Sequence, residues 1–333
     1  MNKPPTKPSY GVIFHPTFPP ETLPDFARKA EAGGFDELWL WDDCFLPGAF
    51  TGATAALSAT RTLKVGIGLL PATVYHPLFA AMEITTLARM FPGRILPGFG
   101  YGVQSWMQQI GAAPRSYMKV LDETVTSVRA LLNGEVVTQH GTQVNMDQVQ
   151  MQMTPDVRPP LLIGAKREKT LRLSGRTADG TILVYMSSPE YIRWALQQIR
   201  AGMAESGRTQ HRLMVYTAVK VNPDGQRARA AVREDFARQL PWVDVQIQAL
   251  GIADQVESLV NQYGKGGFAD HMPEEWIDLL AAAGTPEQAE KHLRALADAG
   301  ADSIIFQPLH GDPDCRDEYI QYLMPRLKGE KAG

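Results

Sequence analysis

The sequence predicts an α/β fold, a (β/α)8 or TIM barrel with insertions, from two observations. Eight short segments that are apolar on nearly every residue alternate with longer helical patterns along the 333 residues. A strand that is apolar on both faces is buried on both faces, which is typical of a parallel sheet covered by helices. A barrel of this length is routinely a single domain. A doubly wound open sheet is the alternative, because periodicity does not tell whether the sheet closes.

Each predicted strand is followed by turn residues and then by a helical pattern. The strands are predicted at residues 10–15, 36–41, 63–70, 94–100, 160–165, 180–186, 212–221 and 302–309. The helices are predicted from about residue 20 to 33, up to residue 61, and over 77–91, 115–132, 167–176 and 189–205. A polar stretch over 135–158 is an excursion that could form a hairpin. The largest insertion, a helical or lid segment of about 224–285, lies between strands seven and eight of one domain, residues 1–333.

Composition and charge exclude several classes of partner. The net charge is −3 and 21% of residues are charged, so neither nucleic acid nor a membrane is expected to bind. No apolar run reaches the ~18–20 residues of a membrane span, and the first eleven residues lack the apolar core of a signal peptide. Two cysteines, Cys44 and Cys315, form no disulfide framework. A soluble, cytoplasmic protein is therefore expected.

Candidate site residues follow from the rule that barrel enzymes place their chemistry at the carboxyl ends of the strands. The seven histidines show neither the HxH nor the HxxxH spacing of a barrel metal site, so no metal is predicted. The residues at the predicted strand ends are His15, Asp42, Asp43, Gly68, Leu69, Tyr101–Gln104, Ala165–Glu168, Tyr185–Ser187 and Gln307–His310.

Glycines at 98, 100 and 102 come soon after the apolar run 94–96 that opens the fourth predicted strand. They do not match the dinucleotide-binding pattern GxGxxG, in which the third glycine comes one residue later and the motif follows the first strand. Two interpretations remain open. The glycines could tighten a corner of the barrel, or they could let a flat ligand approach the backbone.

A second candidate is the segment 163–180, where a helix follows the strand end Gly164-Ala165 at once. Free backbone N–H groups at the start of such a helix form an anion site. Lys166 and Arg167 stand at this turn and would meet a phosphate. The alternative is a solvated outer helix face, which is also the interpretation for the more distant arginines of the segment.

Adjacent carboxylates, Asp42 and Asp43, end the strand that carries Trp39 and Trp41. They could act as a general acid or base, or they could bind a metal. Because neighbouring residues of a strand point to opposite faces, we expect one carboxylate to enter the site and the other to cap the turn. The pattern alone does not decide which.

Four blocks in the correct order resemble the luciferase-like oxidoreductases, a family related to bacterial luciferase and methylenetetrahydromethanopterin reductase. The segment 102–112 further resembles the subgroup similar to those reductases, which use the deazaflavin coenzyme F420. The resemblance implies a TIM barrel that binds F420, or alternatively FMN, with the ring across the strand ends. The four blocks are residues 30–43, 86–102, 158–183 and 284–306.

The resemblance also implies where the cofactor binds. The glycines at 98, 100 and 102 would clear room beside the ring, and the phosphate would lie at residues 165–168. Two departures from the family pattern matter: Arg167-Glu168 replaces a Gly-Pro pair, and Asp43 replaces a histidine. The implied cofactor-binding residues are Gly68, Leu69, Tyr101, Gly102, Gly164, Ala165, Lys166, Arg167 and Glu168.

The implied activity is hydride transfer between F420 and a small organic substrate. Asp42 or Asp43 would be the acid or base, its pKa raised by burial among aromatic side chains, and Gln104 is the third catalytic candidate. One alternative is an FMN-dependent monooxygenase supplied by a partner flavin reductase. Another is a flavin-binding barrel without catalysis. A homodimer is also possible. The implied substrate-pocket residues are His15, Trp41, Phe45 and His310.

Two glycines in the third predicted strand, Gly66 and Gly68, predict a bulge or a close approach of another group. The resembling family carries a non-prolyl cis peptide at this strand end, behind the ring. That bond aligns with Gly68-Leu69, or with Ile67-Gly68 one residue earlier. A plain bulge with trans peptides is the alternative.

Overall fold

The computed structural model describes residues 7–240, 242–309 and 312–329, and within them the strands form a closed parallel barrel. Strands β5 and β6 form a separate antiparallel hairpin, and the other nine strands belong to one parallel sheet. In chain order the strands of these residues are β1 (Ser9–Ile13), β2 (Glu37–Leu40), β3 (Lys64–Pro71), β4 (Ile95–Gly100), β5 (Val137–His140), β6 (Asn145–Val149), β7 (Leu162–Ala165), β8 (Gly180–Leu183), β9 (Arg212–Val221), β10 (Ala281–Gly284) and β11 (Ser303–Gln307).

Helices cover the outside of the barrel and fill the long connection between β9 and β11. None of those built from the described residues is both long and apolar enough to cross a membrane. They are α1 (Leu23–Ala32), α2 (Ala49–Ala59), α3 (Pro77–Met90), α4 (Gln104–Gln109), α5 (Tyr117–Leu132), α6 (Glu168–Thr177), α7 (Pro189–Ser206), α8 (Gly225–Gln239), α9 (Asp244–Ala249), α10 (Ala253–His271), α11 (Glu275–Leu280), α12 (Pro286–Asp298), α13 (Cys315–Tyr322) and α14 (Met324–Lys328).

The barrel closes where β8 pairs with β9, which confirms the predicted fold class and rejects the open sheet. The hairpin of β5 and β6 lies in the predicted polar excursion. One detail of the insertion prediction is wrong: its last residues form β10, which pairs with the far end of β9 outside the barrel. The sequence prediction also lacked the short helix α4, which follows β4 directly.

Short connections fix where the helices of the barrel begin. Proline is favoured at the first helical position, because its missing N–H would have no partner there in any case. A capping side chain then accepts a hydrogen bond from a backbone N–H of the first turn. Three helices follow this pattern, with the pairs His76-Pro77, Ser188-Pro189 and Thr285-Pro286.

The interior of the barrel is filled unevenly, because large side chains on some strands pack against glycines on others. A Cβ at Gly66 would lie 2.4 Å from the ring of Trp39, and one at Gly68 would lie 2.3 Å from the hydroxyl oxygen of Tyr216. Real side chains do not approach so closely. The buried interior cluster consists of Ile13, Trp39, Leu96, Leu162, Ile182, Met214, Tyr216 and Ile305.

A buried carboxylate closes the amino-terminal end of the barrel. Glu37, at the start of β2, is fully buried and accepts hydrogen bonds from Trp39 Nε1 and Ser303 Oγ, both at 2.9 Å. The guanidinium of Arg212 lies 3.5 Å from its other oxygen. These contacts compensate the buried charge and tie β2, β9 and β11 together below the site.

Candidate active site

A bulge marks the carboxyl end of β3. The peptide bond between Gly68 and Leu69 is cis, which confirms the predicted bond and rejects both the Ile67-Gly68 alternative and the all-trans bulge. The pairing of β3 with β4 shifts between Gly68 and Leu70, so Leu69 is the extra residue of a β-bulge. Its half-buried side chain packs on the interior cluster, at the end of the barrel where the candidate residues lie.

The glycines of β4 and β7 make room for this bulge. A Cβ at Gly100 would lie 2.5 Å from Leu69 Cδ1, and one at Gly164 would lie 2.2 Å from the same atom. At Gly98 the added Cβ would lie 2.7 Å from a methyl carbon of Ile182. Side chains of the protein itself thus fill the space left by the glycines.

Gly102 has a different reason to be glycine. Its φ is +70°, a conformation that side chains disfavour, and an added Cβ would lie 2.9 Å from Met107 Cε. Packing against the protein's own side chains thus accounts for the glycines at 98, 100 and 102, and the expectation that they clear room beside a cofactor ring remains a prediction. The expected backbone contacts of Gly102 and Gly164 with a cofactor remain predictions, and Leu69 is the apolar group that β3 presents there.

The two adjacent carboxylates have different surroundings. Asp42 Oδ1 accepts a hydrogen bond of 2.9 Å from the backbone N–H of Ala49, the first residue of α2. The hydroxyl of Tyr75 also points to this carboxylate, and burial together with that hydrogen bond raises the pKa of Tyr75. Asp42 therefore caps the turn, as expected for one member of the pair.

Asp43 is the carboxylate that remains for acid–base chemistry. Its side chain is half-buried, and it forms no hydrogen bond or ion pair with any residue in the part of the chain that the structure describes. Burial first, and then the negative charge of Asp42, raises the pKa of Asp43 to about 6. A signal in the sequence could have distinguished the two carboxylates. Side chains alternate between the two faces of a strand, so Asp43 is expected on the same face as the inward-pointing Trp39, and Asp42 on the opposite face.

Two polar groups of the barrel interior have no hydrogen-bond partner among the described residues. Trp41 Nε1 and the hydroxyl of Tyr216 are buried, and neither makes a hydrogen bond of acceptable geometry within the described residues. Burial raises the pKa of Tyr216, and the charges of Glu37 and Asp43 raise it further. Buried polar atoms are nearly always satisfied, so this pair indicates a place where a ligand binds. The sequence prediction missed Tyr216. It lies two residues after Met214 in the same strand, and both side chains therefore point to the barrel interior.

His15 lies beside this pair, as the predicted pocket requires. Its ring is 5.2 Å from that of Trp41, edge to face, and its Nδ1 lies 2.7 Å from Thr17 Oγ1. The backbone N–H of Thr17 also donates to Nδ1, at 3.3 Å, so this nitrogen is an acceptor and the ring orientation is fixed.

Exposed aromatic side chains form the rim of the site. Phe45 is 65% exposed with a φ of 72°, and its ring lies 6.1 Å from that of Trp106 in α4. Because β2 and β4 flank β3, this contact spans the end of β3. Gln104 is exposed at the start of α4, so its catalytic role remains a prediction. His310 lies outside the described residues.

The turn from β7 into α6 carries the predicted cations. Helix α6 starts at Glu168, and the side chain of Arg167 before it does not cap any of the first backbone N–H groups. Glu168 pairs with Arg172 at 3.0 Å on the outer face. Ala165 is buried at the end of β7. This turn has the features of an anion site.

Both cations of the turn already have an anionic partner. Lys166 Nζ lies 2.8 Å from Asp244 Oδ1, and Arg167 pairs with the other oxygen of the same carboxylate. The hydroxyl of Tyr101, from the end of β4, lies 2.9 Å from Thr170 Oγ1 in the first turn of α6. Sequence reasoning could not find Asp244, because no local pattern connects it with the turn.

Helices of the insertion cover the ends of β8 and β9. Tyr185 follows β8 and packs in one apolar cluster with Phe236 and Phe268 of the insertion, and its hydroxyl donates to the buried Asp235. Gln246 of α9 donates a hydrogen bond of 2.6 Å to the carbonyl oxygen of Tyr185. The insertion therefore packs against these strand ends, and its role as a lid remains a prediction.

Known proteins with similar sequences and folds fit this arrangement. The sequence model described as luciferase-like monooxygenase matches residues 2–303. A 5,10-methylenetetrahydromethanopterin reductase of Archaeoglobus fulgidus is 27% identical over 96% of this chain and 99% of its own. An F420-dependent glucose-6-phosphate dehydrogenase of Nakamurella multipartita is 28% identical over 93% of this chain and 94% of its own.

The fold also matches a solved structure over nearly its whole length. The coenzyme F420 dependent tetrahydromethanopterin reductase of Methanopyrus kandleri superposes with a TM-score of 0.83 and 21% identity, over 97% of this chain and 100% of that chain. At this level of identity the likeness concerns the fold. The family match is carried by the sequence.

Proposed function

Since this chain belongs to the luciferase-like monooxygenase family, we propose that it transfers a hydride between coenzyme F420 and a small organic substrate. The observation that carries the proposal is Asp43, a half-buried carboxyl group with a pKa raised to about 6, beside the bulge of Leu69. The F420 dependence named for two similar proteins supports the choice of cofactor. FMN is the alternative cofactor.

The residues at the strand ends fit such a cofactor. Trp41 Nε1 and the Tyr216 hydroxyl are buried and make no hydrogen bond of acceptable geometry within the described residues, and a polar heterocycle would supply partners for them. Leu69 offers an apolar surface to a flat ring. The turn at residues 165–168, with Lys166 and Arg167, would hold the phosphate through charge-assisted hydrogen bonds.

When bound, the cofactor supplies a two-electron, hydride-transferring ring. The chain's own contribution is to position the substrate and to exclude water. The interior cluster closes the barrel beneath the site with apolar side chains, and the lid helices α8–α11 cover one side. Proximity in a water-poor pocket can supply a large part of the rate acceleration.

Asp43 would hold the proton that accompanies the hydride. Oxidation of a hydroxyl group requires a base for its proton, and reduction of a carbonyl or imine group requires an acid. With a pKa of about 6, a carboxyl group populates both protonation states near neutral pH. In the oxidising direction the rate would rise as the pH passes about 6, and in the reducing direction it would fall.

A matched pair of variants tests this role. Asp43→Asn should lower kcat by about a hundredfold or more and remove the pH dependence near 6, whereas cofactor binding should stay within about twofold. Asp42→Asn keeps the proton donor but removes the charge that helps to raise the pKa of Asp43, so it should retain a pH dependence with its midpoint below 6. An unchanged kcat in Asp43→Asn would refute the role.

Calorimetric titration with F420 and with FMN tests the cofactor. FMN binding at least tenfold tighter than F420 would refute the choice of F420, and failure of both to bind would refute the proposed function. The family description favours one further candidate, an FMN-dependent monooxygenase with a partner reductase. Oxygen consumption with reduced FMN would indicate it. Binding without any turnover would indicate a non-catalytic barrel. The expected homodimer remains a prediction for sedimentation velocity.

A further inference from the structure

A single carboxylate, that of Asp244, engages both cations of the β7–α6 turn. Its two oxygens contact Lys166 and Arg167 separately, and Lys166 Nζ also donates to the carbonyl oxygen of Trp242 at 3.4 Å. Asp244 is the first residue of α9 and lies 78 residues beyond Lys166 in the chain. These contacts connect the lid to the strand end at which we propose the phosphate binds.

The position of this carboxylate is that of a bound anion. It faces two cations beside the uncapped start of α6, which is the geometry that binds phosphate or carboxylate oxygens. Burial works to raise the pKa of Asp244, but the hydrogen bond from Lys166 and the charges of both cations outweigh it, so the pKa is lowered. Asp244 is therefore ionised at neutral pH and acts as an anion.

We propose that Asp244 is an internal competitor for this anion site. It occupies Lys166 and Arg167 when no ligand is bound, and an organophosphate ligand must displace it. The inference rests on the proposed function only for the identity of the organophosphate. The competition lowers the affinity for phosphate-bearing ligands and leaves that for phosphate-free analogues unchanged.

Displacement has a consequence for the lid. Once Asp244 leaves the cations, the polar contact that remains between α9 and the strand ends is that of Gln246 with the Tyr185 carbonyl oxygen, in the part of the chain described. The segment 242–250 then loses part of its attachment. Binding of the phosphate group and loosening of α9 are thus two effects of one exchange of partners.

The affinity test compares ligands with and without the phosphate, and FMN and riboflavin differ in the phosphate alone. FMN and riboflavin form one pair, and F420 and its phosphate-free deazaflavin form the other. In Asp244→Asn the affinity ratio of the phosphorylated to the unphosphorylated ligand should rise about tenfold over wild type, equivalent to ~1.4 kcal/mol. Asp254→Asn is the matched control, because it makes the same substitution at an exposed position of the insertion, in the first turn of α10. Its ratio should stay within about twofold.

Hydrogen exchange supplies a second, independent measurement. In the wild type, exchange in residues 242–250 should increase when the phosphorylated ligand binds. In Asp244→Asn it should be high before the ligand is added. Asp244→Ser should show the same high exchange in residues 242–250 as Asp244→Asn does. Because the position is partly exposed, it provides a second folded variant.

Two outcomes would overturn the inference. A ratio that is unchanged or lower in Asp244→Asn would mean that Asp244 positions the cations for the phosphate and does not compete with it. Exchange that is unchanged or lower in the ligand-bound wild type would exclude the displacement. If neither chromophore binds the wild type, the proposed function fails, and titration of both proteins with inorganic phosphate still tests the competition.

Discussion

Replacing Asp43 by asparagine should make the protein more stable at neutral and alkaline pH. The pKa of this carboxyl group is raised from 3.8 to about 6, because the folded state holds the charge in a half-buried position beside Asp42. Each tenfold change in proton affinity corresponds to ~1.4 kcal/mol, so the ionised form lowers the free energy of unfolding by up to about 3 kcal/mol. An asparagine side chain carries no charge and avoids this penalty.

The sign of the pH dependence follows from the direction of the shift. A raised pKa means that the folded state binds the proton more tightly, so Asp43 stabilises the fold at low pH. This contribution is full below pH ~4 and is lost as the pH rises through about 6. The gain in Asp43→Asn should therefore be about 1–3 kcal/mol at pH 8 and should vanish near pH 4.

Urea denaturation of both proteins from pH 4 to pH 8 measures this difference directly. Asp42→Asn is the comparison variant with two opposed effects: it weakens the bond to the Ala49 N–H by about 0.5–1 kcal/mol, and it relieves part of the penalty on the Asp43 charge, so its net change at pH 8 should be smaller than the gain in Asp43→Asn. The reasoning would be refuted if Asp43→Asn were less stable than wild type at pH 8. A gain of constant size across the range would refute it equally.

Three further changes test the packing and charge at the barrel ends. Gly164→Ala should lower the free energy of unfolding by about 1–3 kcal/mol, because its methyl group would meet Leu69, and thermal unfolding measures the loss. Glu37→Ala should lower it by about 2–4 kcal/mol in denaturant titrations, because two buried donors lose their acceptor. The double change Lys166→Ala and Arg167→Ala should weaken binding of a phosphorylated cofactor by about tenfold or more in calorimetry.

Each of these changes has a control and a contradicting result. Gly266→Ala is the control for the alanine at 164, because no atom lies within 4 Å of its added Cβ, and it should not destabilise. Ser303→Ala removes one donor to Glu37 and should lose less than Glu37→Ala. If the double variant binds a phosphorylated cofactor as tightly as the wild type does, Lys166 and Arg167 do not contact the phosphate and belong to a solvated helix face.

Local patterns predicted most of the fold, because strand burial and helix caps are properties of neighbouring residues. The strand β10 escaped prediction because Ala281–Gly284 has no intrinsic preference for a strand. These residues form a strand because they pair with the end of β9. A pattern in the sequence does not contain that partner.

The features of the candidate site also fall into those that the sequence predicted and those that depend on contacts formed by the fold. The capping role of one carboxylate was predicted from its neighbours in the sequence, and the cis bond at Gly68-Leu69 was implied by the family resemblance. The packing against the glycines at 98 and 100 was not predicted, because the side chains that an added Cβ would meet come from other strands. Asp244 likewise reaches Lys166 only through the fold.

The pairing of β10 with β9 allows the inserted helices α8–α11 to vary without disturbing the barrel. The chain leaves β9 at Val221, builds α8–α11, and returns to pair with residues 218–221 of the same strand. Its points of departure and return are therefore neighbours, so the intervening segment can lengthen, shorten or be exchanged without a change in barrel register. Related barrels with different insertions after this strand would differ in the helices that pack on the strand ends. The carboxylate of Asp43 and the bulge at Leu69, on the opposite side of the barrel, would keep their positions.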